Sequence, residues 1–324
     1  MPKTCSEAGM SVLSGPTMGT RWSARYRAGV GTDHQALARE LEEAVACVDR
    51  QMSPWQADSD LMRLNRAAPG EWVALPPDIL AVLACALDVG RRSGGAFDAA
   101  VGGLVNAWGF GAERDAPDPE AVRQAVAEHH FAHRALTLDR ARGRACKQAP
   151  MILDLCGIAK GYAVDLMAAV MERHGIGHAL LSLDGELRAL GGREDGQPWA
   201  VALESPRDGV RAARGVIELV DLSVATSGDY RRWFRLGSER LAHSMDGRRV
   251  APVRNAVASV TVLAADCMSA DAWATALLVA GPGEGPALAQ RQGLEALFLL
   301  RREGQLVEWG VGRFGEDRGG PALA

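Results

Sequence analysis

Apolar residues in the first half of the chain recur with the spacing of amphipathic helices. The first set is Leu37, Leu41, Val45, Val48 and Met52. A second predicted helix begins at Pro77, runs through Ile79, Leu83 and Leu87 and stops near Gly94-Gly95. Proline at the start and glycine at the end follow the usual asymmetry of helices. Asp118-Pro119-Glu120 predicts the start of a third helix, which we expect to end around His130.

Strand patterns are interspersed among these helices. Thr20–Tyr26 follows a glycine-rich turn and is typical of a strand. Met151–Leu155 predicts a buried strand, followed by a sharp turn at Cys156-Gly157 and a helix from about 158 to 174, closed by Gly175. Further elements are predicted as strands at 178–183, 199–204, 215–221 and 259–263, and a helix at about 269–280 ended by Gly281-Pro282.

Helices and strands mix without strict alternation, which favours an α+β fold with mixed sheets and packed helices. We see no repeat, low-complexity tract or linker. The predicted organisation is an N-terminal tail at 1–12, a single domain at 13–315 and a C-terminal tail at 316–324. An arrangement in two closely associated lobes stays open.

Composition narrows the function classes. The 324 residues are 48% hydrophobic and 23% charged, enough for a large core. A net charge of −4 does not indicate nucleic-acid binding. The sequence contains no block of basic residues that would indicate binding to a membrane surface. The six cysteines are scattered and predict neither disulfides nor a zinc site. No apolar run has the length of a signal peptide core at the N-terminus or of a membrane span, so we expect a cytoplasmic protein without membrane insertion.

The segment Asp154–Tyr162 combines a carboxylate at a strand end, a glycine in the turn and Lys160 in the first turn of a helix. Free N–H groups, the positive helix end and a lysine together favour a phosphate. The alternative is a plain turn between two elements with Lys160 in solvent.

Ser269–Thr275 offers oxygen ligands on one helix face, since Asp271 and Thr275 are four residues apart. Mg²⁺ prefers hard oxygen ligands and commonly binds through few protein groups plus a substrate phosphate. The alternative is that Asp271 interacts with the helix dipole and Thr275 bonds back to a carbonyl.

Two weaker patterns concern aromatic residues and histidines. Aromatic residues between small residues could stack on a flat ring or fill the core; they occur at Ser53-Pro54-Trp55, Gly94–Asp98 and Trp108–Gly111. His243 with nearby Asp246 could supply a general base or lie on the surface. His129 and His133 have the spacing of a zinc pair, but a helix C-terminus favours histidine and no third ligand is near.

These motifs occur in an order that resembles the FAD:protein FMN transferase family, the ApbE-like flavin transferases once labelled thiamine-biosynthesis lipoproteins. The resemblance covers about 270 residues. The segments that carry it are Met18–Thr20, Ser53, Ser59–Asn65, Gly95–Asp98, Gly103–Val105, Trp108–Gly111, Asp154–Asp165, Asp184-Gly185, Ala225–Tyr230, His243 with Asp246, and Ala270–Leu277.

The resemblance implies an α+β fold with FAD between two closely associated halves and a Mg²⁺ ion on its pyrophosphate. The residues implied to hold FAD are Met18, Trp55, Ala96, Phe97, Asp98, Asp154, Lys160 and Met245. The metal would be held by Asp271, Thr275 and the backbone carbonyl of Gly157.

The implied reaction moves FMN from FAD to a threonine or serine hydroxyl of a client flavoprotein subunit, with release of AMP. Lys160 and the metal would offset charge, and His243, or else Asp246, would accept the proton. This chain departs from the family after His243, where Gly247-Arg248-Arg249-Val250 replaces the usual Pro-x-Thr-Gly. Asp184-Gly185 stands where Gly-Gly is usual.

Two alternatives stay open on sequence alone. Water could replace the client hydroxyl, giving an FAD pyrophosphatase that releases FMN and AMP. The chain could also be a flavin-binding module without catalysis. The sequence does not identify the client or the oligomeric state.

Overall fold

The computed structural model describes residues 5–7, 10–112, 116–193, 196–206, 213–230, 233–236 and 239–315. The strands in these ranges are β1 (Cys5–Glu7), β2 (Met10–Thr17), β3 (Thr20–Tyr26), β4 (Trp72–Ala74), β5 (Leu136–Asp139), β6 (Arg144–Lys147), β7 (Ala179–Leu183), β8 (Glu186–Leu190), β9 (Trp199–Glu204), β10 (Ala213–Leu219), β11 (Ser223–Gly228), β12 (Trp233–Leu236), β13 (Glu239–Ala242), β14 (Met245–Asp246), β15 (Ala251–Pro252), β16 (Val257–Ala264), β17 (Glu295–Arg302) and β18 (Gln305–Val311).

The helices alternate irregularly with these strands. The α-helices of the described ranges are α1 (His34–Met52), α2 (Asp60–Arg66), α3 (Pro77–Arg92), α4 (Gly102–Ala107), α5 (Pro119–Ala127), α6 (Ala132–Ala135), α7 (Ala159–Arg173) and α8 (Cys267–Arg291). Short 3₁₀ turns lie at Ala99–Val101, Arg140–Arg142 and Gly312–Phe314.

One antiparallel sheet of nine strands forms the frame, in the order β1-β2-β3-β7-β8-β11-β16-β17-β18. A smaller sheet has the order β4-β6-β5, and β9–β10, β12–β13 and β14–β15 form separate pairs. Helices packed on antiparallel strands confirm the predicted α+β class.

The predicted helical stripe and the alternation seen in β3 account for part of the core. The five apolar residues of the first predicted helix are all buried in α1, and Asp33 caps this helix through bonds from the N–H groups of Gln35 and Ala36. In β3, Trp22, Ala24 and Tyr26 are fully buried and alternate with polar residues. One large cluster of buried residues joins these elements to α3, α7 and α8.

The helices α7 and α8 meet through their N-terminal ends. The Asp165 carboxylate of α7 accepts hydrogen bonds from the backbone N–H groups of Cys267 and Met268, both at 2.9 Å. In return, the N–H of Gly161 in α7 donates to Oδ2 of Asp271 in α8, at 3.0 Å. Each helix therefore satisfies backbone or side-chain groups at the start of the other.

Gly161 is required by this close approach. A Cβ atom at this position would lie 2.3 Å from the carbonyl oxygen of Cys267 and 2.9 Å from Cβ of Asp271. We expect Gly161→Ala to lower the free energy of unfolding by at least about 2 kcal/mol, because backbone must move to admit the methyl group. Denaturant unfolding measures this loss. Gly177→Ala is the matched control, since no atom lies within 4 Å of its Cβ position; equal stability of the two variants would contradict the packing argument.

The predicted strand at 151–155 is wrong. The segment is extended, but its backbone pairs with other groups instead of a neighbouring strand. Asn65 bonds both the N–H and the carbonyl of Leu153, and the N–H groups of Gly102 and Asp154 donate to Ile152 and Ala99. A side-chain amide thus replaces a ladder partner, which periodicity does not reveal.

Three predicted boundaries also differ. The third helix ends at Ala127, three residues before the expected end. The last helix does not stop at Gly281: the backbone kinks there, with φ of 77°, and α8 continues to Arg291. Met10–Val12, assigned to the N-terminal tail, belongs to β2, where Ser11 and Val12 pair with β3. None of the helices in the described ranges is long and apolar enough to cross a bilayer.

Candidate active site

A cluster of charged side chains lies where α7 faces the β7–β8 hairpin. The Lys160 ammonium donates to Oε1 of Glu186 at 2.7 Å and lies 3.6 Å from Oδ2 of Asp184. The Glu186 side chain is buried, with only 3% exposed, whereas that of Lys160 is 27% exposed. Burial lowers the pKa of Lys160, but the charges of Glu186, Asp271 and Asp184 outweigh it and raise the pKa overall. Lys160 is therefore a fixed positive charge at the helix start, not a solvated side chain.

Asp271 is buried in the second turn of α8. Burial and then the charge of Glu186 raise the pKa of Asp271 to about 7, against the lowering effect of Lys160. Its Oδ2 accepts the hydrogen bond from the N–H of Gly161. A cation at this carboxylate would offset the cost of burying its negative charge.

Thr275 lies one turn beyond Asp271 and faces the turn at Gly157. Its Oγ1 is 3.1 Å from the position that a Cβ of Gly157 would occupy and 2.9 Å from Oγ of Ser227 on β11. A carboxylate, a hydroxyl and a side-chain-free backbone turn thus lie together. The oxygen atoms of these three groups are the kind of ligands that a hard divalent cation such as Mg²⁺ prefers.

Met18 lies at the tip of the β2–β3 hairpin, which also reaches the charged cluster. Met18 and Gly19 have φ of 47° and 71°, and Thr17 pairs with Thr20 across them, as in a two-residue type I′ turn. The hydroxyl of Thr20 donates to Oδ1 of Asp184 at 3.3 Å. The structure therefore connects the Met18 turn to Lys160 through Asp184.

The loop that contains Ala96, Phe97 and Asp98 is buried beside the Gly157 turn. Cε2 of Phe97 lies 3.5 Å from the Cβ position of Gly157, so the ring fills the core under that turn. Oδ1 of Asp98 accepts bonds from the N–H groups of Ala100 and Ala132, at 3.1 and 2.9 Å. Asp98 thus fixes the loop itself.

Asp154 connects the same loop to the Gly157 turn. Its N–H donates to the carbonyl of Ala99, and its Oδ1 accepts from the N–H of Cys156 at 2.7 Å. Trp55 differs from the other residues predicted to hold FAD, because it is 53% exposed. It lies in the turn that follows α1.

The segment after His243 packs against the Asp98 loop. A Cβ at Gly247 would lie 3.0 Å from Oδ2 of Asp98 and 3.1 Å from Nε2 of His129, so glycine permits this contact. The rings of His243 and Phe110 meet edge to face, with centroids 6.5 Å apart. Met245 is buried and pairs with Pro252 between β14 and β15.

Asp246 is occupied by its own loop. Its Oδ1 accepts from the backbone N–H of Arg248 at 2.9 Å and from the Arg248 guanidinium at 3.2 Å. Arg248 also pairs with Glu284 at 2.7 Å. Because Asp246 already accepts these hydrogen bonds from Arg248, it is the weaker candidate for a base.

The spacing of His129 and His133 does not reflect a shared helix face. His129 follows the end of α5 and lies 3.3 Å from Oδ2 of Asp98, whereas His133 lies in α6. Within the described ranges, no three His, Cys, Asp or Glu side chains form a metal-binding group.

The sequence did not predict that Glu186 contacts Lys160 or that Ser227 contacts Thr275. Glu186 directly follows the quoted Asp184-Gly185 pair, and the β7–β8 register opposes it to Leu183. Ser227 lies within the quoted Ala225–Tyr230 segment. Ser227 lies within a motif and Glu186 directly after one, but only the sheet order brings these side chains to α7 and α8.

Comparisons with known proteins identify the family of the chain. The model of the ApbE family matches residues 18–298. The FAD:protein FMN transferase of Vibrio cholerae is 36% identical over 310 residues, covering 93% of this chain and 91% of the relative. The enzyme of the same name from Escherichia coli K12 is 32% identical over 300 residues, covering 91% and 85%.

Solved structures give the same result. The flavin transferase ApbE from Vibrio cholerae has a TM-score of 0.83 at 33% identity and covers 96% of this chain and 97% of its own. The apo flavinyl transferase ApbE of Pseudomonas stutzeri has a TM-score of 0.84 at 34% identity, with 95% of each chain covered. These relatives show that the protein is a transferase. The chain belongs to the ApbE family.

Proposed function

We propose that this protein is a Mg²⁺-dependent FAD:protein FMN transferase that attaches FMN to a threonine or serine hydroxyl of a client flavoprotein subunit and releases AMP. The observation that carries the proposal is the convergence of Lys160, Asp271, Thr275 and the Gly157 turn at the start of α7 and α8. Relatives named for this reaction cover nearly the whole chain.

FAD is proposed to lie along the loops that surround this cluster. The residues assigned to it are Met18, Trp55, Ala96, Phe97, Asp98, Asp154, Lys160 and Met245. The exposed Trp55 ring offers a stacking face, and the buried 96–98 loop offers a shaped backbone wall. Lys160, held by Glu186, places a positive charge at the helix start for the pyrophosphate.

Mg²⁺, when held by Asp271, Thr275 and the carbonyl of Gly157, would act as a Lewis acid that stabilises negative charge on the pyrophosphate oxygens. Lys160 contributes a second positive charge without losing its own proton, because its carboxylate neighbours raise its pKa. The buried Phe97 side excludes water from beneath the turn.

The transfer step forms one P–O bond and breaks another. The client hydroxyl oxygen attacks the FMN-side phosphorus, the bond between that phosphorus and the bridging oxygen breaks, and AMP leaves with the electron pair. The proton of the hydroxyl passes to a base, for which His243 is our candidate. Asp246 is the second candidate, although Arg248 occupies it.

Intact-mass measurement of a candidate client tests the proposed function. The protein, FAD and Mg²⁺ should add the mass of FMN less one water to the client, while AMP accumulates in equal amount. FMN in place of FAD, or a chelator in place of Mg²⁺, should give no addition. Release of FMN and AMP with no labelled client, across clients that carry accessible hydroxyls, would establish the pyrophosphatase instead.

A further inference from the structure

Ser227 on β11 lies against the proposed metal ligand Thr275 on α8. The two hydroxyl oxygens are 2.9 Å apart and both residues are half-buried. The two residues are 48 positions apart in sequence, and β11 and α8 pack directly on one another. The contact therefore depends on the tertiary fold and not on local chain geometry.

The contact matters because it can determine where the proton of the Thr275 hydroxyl points. Threonine carries one O–H donor and two lone pairs. In a helix, the hydroxyl commonly donates to the carbonyl four residues earlier, which for Thr275 is that of Asp271. A hydroxyl that binds a cation presents a lone pair to it, so its proton must point elsewhere. Oγ of Ser227 is an acceptor at hydrogen-bond distance for that proton.

The Gly157 turn packs against the Thr275 side chain as well. Oγ1 of Thr275 is 3.1 Å from the Cβ position of Gly157, and Cγ2 is 3.4 Å from it. Ser227 and the Gly157 turn thus both contact the Thr275 side chain. A proton donated toward Ser227 leaves the lone pairs of Oγ1 directed away from β11, toward other groups.

We propose that Ser227 is a positioning residue, which holds the Thr275 hydroxyl so that a lone pair faces the Mg²⁺ ion. The inference rests on the metal assignment of the proposed function and extends it to a residue outside the ligand set. Partners that orient metal ligands typically change metal affinity by 10–100-fold when removed. The bond strengthens when the cation is present, because coordination makes the Thr275 hydroxyl a better donor.

The same strand supplies a matched control. Thr226 is the neighbour of Ser227, and its hydroxyl lies 2.8 Å from that of Thr261 on β16. Successive residues of a strand point to opposite faces, so this second hydroxyl pair is separate from the first. Thr226→Val removes a hydroxyl pair of nearly the same length without touching Thr275.

Mn²⁺ titration followed by electron paramagnetic resonance tests the inference on FAD-saturated protein without client. Ser227→Ala should raise the Mn²⁺ dissociation constant by about 10-fold or more. Ser227→Thr, which keeps the hydroxyl, and Thr226→Val should bind Mn²⁺ as the wild type does. FAD affinity without metal should be the same in all four proteins, and thermal melting checks their folding.

The outcomes separate the two levels of the proposal. If the wild type does not bind Mn²⁺, the metal assignment of the proposed function fails. If the wild type binds and Ser227→Ala binds equally well, the positioning role of Ser227 is overturned. Equal weakening in Thr226→Val would also overturn it, because the effect would then belong to the strand. Should Ser227→Ala not fold, the near-isosteric Ser227→Cys gives the same comparison, since a thiol is a weak hydrogen-bond partner.

Discussion

Asp271→Asn should reduce Mg²⁺-dependent FMN transfer by about 10³-fold while leaving the protein folded. Lewis-acid stabilisation of the transition state is worth several kcal/mol, and about 4 kcal/mol corresponds to a factor of roughly 10³ in rate. Asparagine has nearly the same shape and retains an acceptor for the N–H of Gly161, so the contact between α7 and α8 persists. Rates are measured with saturating FAD and client over a range of Mg²⁺ concentrations.

Asp266→Asn is the control for this variant. Asp266 caps α8 through the N–H of Ser269 at 2.8 Å, and asparagine caps a helix as well as aspartate does. The control removes the same charge from the same helix and should transfer FMN at the wild-type rate. Normal turnover by Asp271→Asn at ordinary Mg²⁺ concentrations would show that Asp271 is not a metal ligand.

The metal-free protein offers a second readout at Asp271. Burial and Glu186 raise the pKa of this carboxyl from 3.8 to about 7. Between these values the folded state keeps a proton that the unfolded chain has released. The contribution of Asp271 to the free energy of unfolding therefore falls as the pH rises through this window. In Asp271→Asn, the free energy of unfolding measured with denaturant should lack this decline with pH. The same pH dependence in the variant and the wild type would contradict the raised pKa of Asp271.

His243→Ala should lower FMN transfer by roughly 10²–10⁴-fold, the usual effect of removing a positioned general base. FAD affinity should hardly change, because the interaction belongs to the transition state. The wild-type rate should rise through the pH range in which imidazole loses its proton, and this rise should be absent from the variant. Single-turnover rates against pH measure both effects.

Asp246→Asn separates the two candidate bases. Because Arg248 binds the Asp246 carboxylate through its backbone N–H and its guanidinium, we expect this variant to alter the loop and to keep the pH-dependent rise. Loss of transfer in Asp246→Asn but not in His243→Ala would move the base to the carboxylate. Near-normal transfer in both variants would remove this loop from the proton transfer.

The sequence predicted elements best where one local signal decided them. The apolar stripe of α1, the proline at the start of α3 and the strand at Thr20–Tyr26 are confirmed. The start of α7 near Lys160 was also predictable, because a glycine turn precedes it. Asp271 and Thr275 were predicted as a metal-ligand pair because residues four apart share one helix face, and their metal binding stays a prediction.

The remaining features depend on contacts between distant residues. The 151–155 segment has the composition of a strand, yet Asn65, 88 residues away, supplies the partner for Leu153. Glu186 has no local pattern that marks it as the partner of Lys160. Its role follows from the position of β8 beside β7 and from the packing of α7 on both strands. Single-sequence periodicity contains no information on either contact.

The bonds between α7 and α8 also bear on how the family can vary. Asp165 caps α8 and Asp271 accepts from α7, so each helix carries a residue that the other requires at its start. Gly161 of α7 is also required, because a side chain there would clash with the backbone of α8. A chimera that takes α7 from one relative and α8 from another inherits a working site only if both donors preserve this exchange. The two helices are separated by 93 residues of chain, but they must be exchanged together for the contact to be kept.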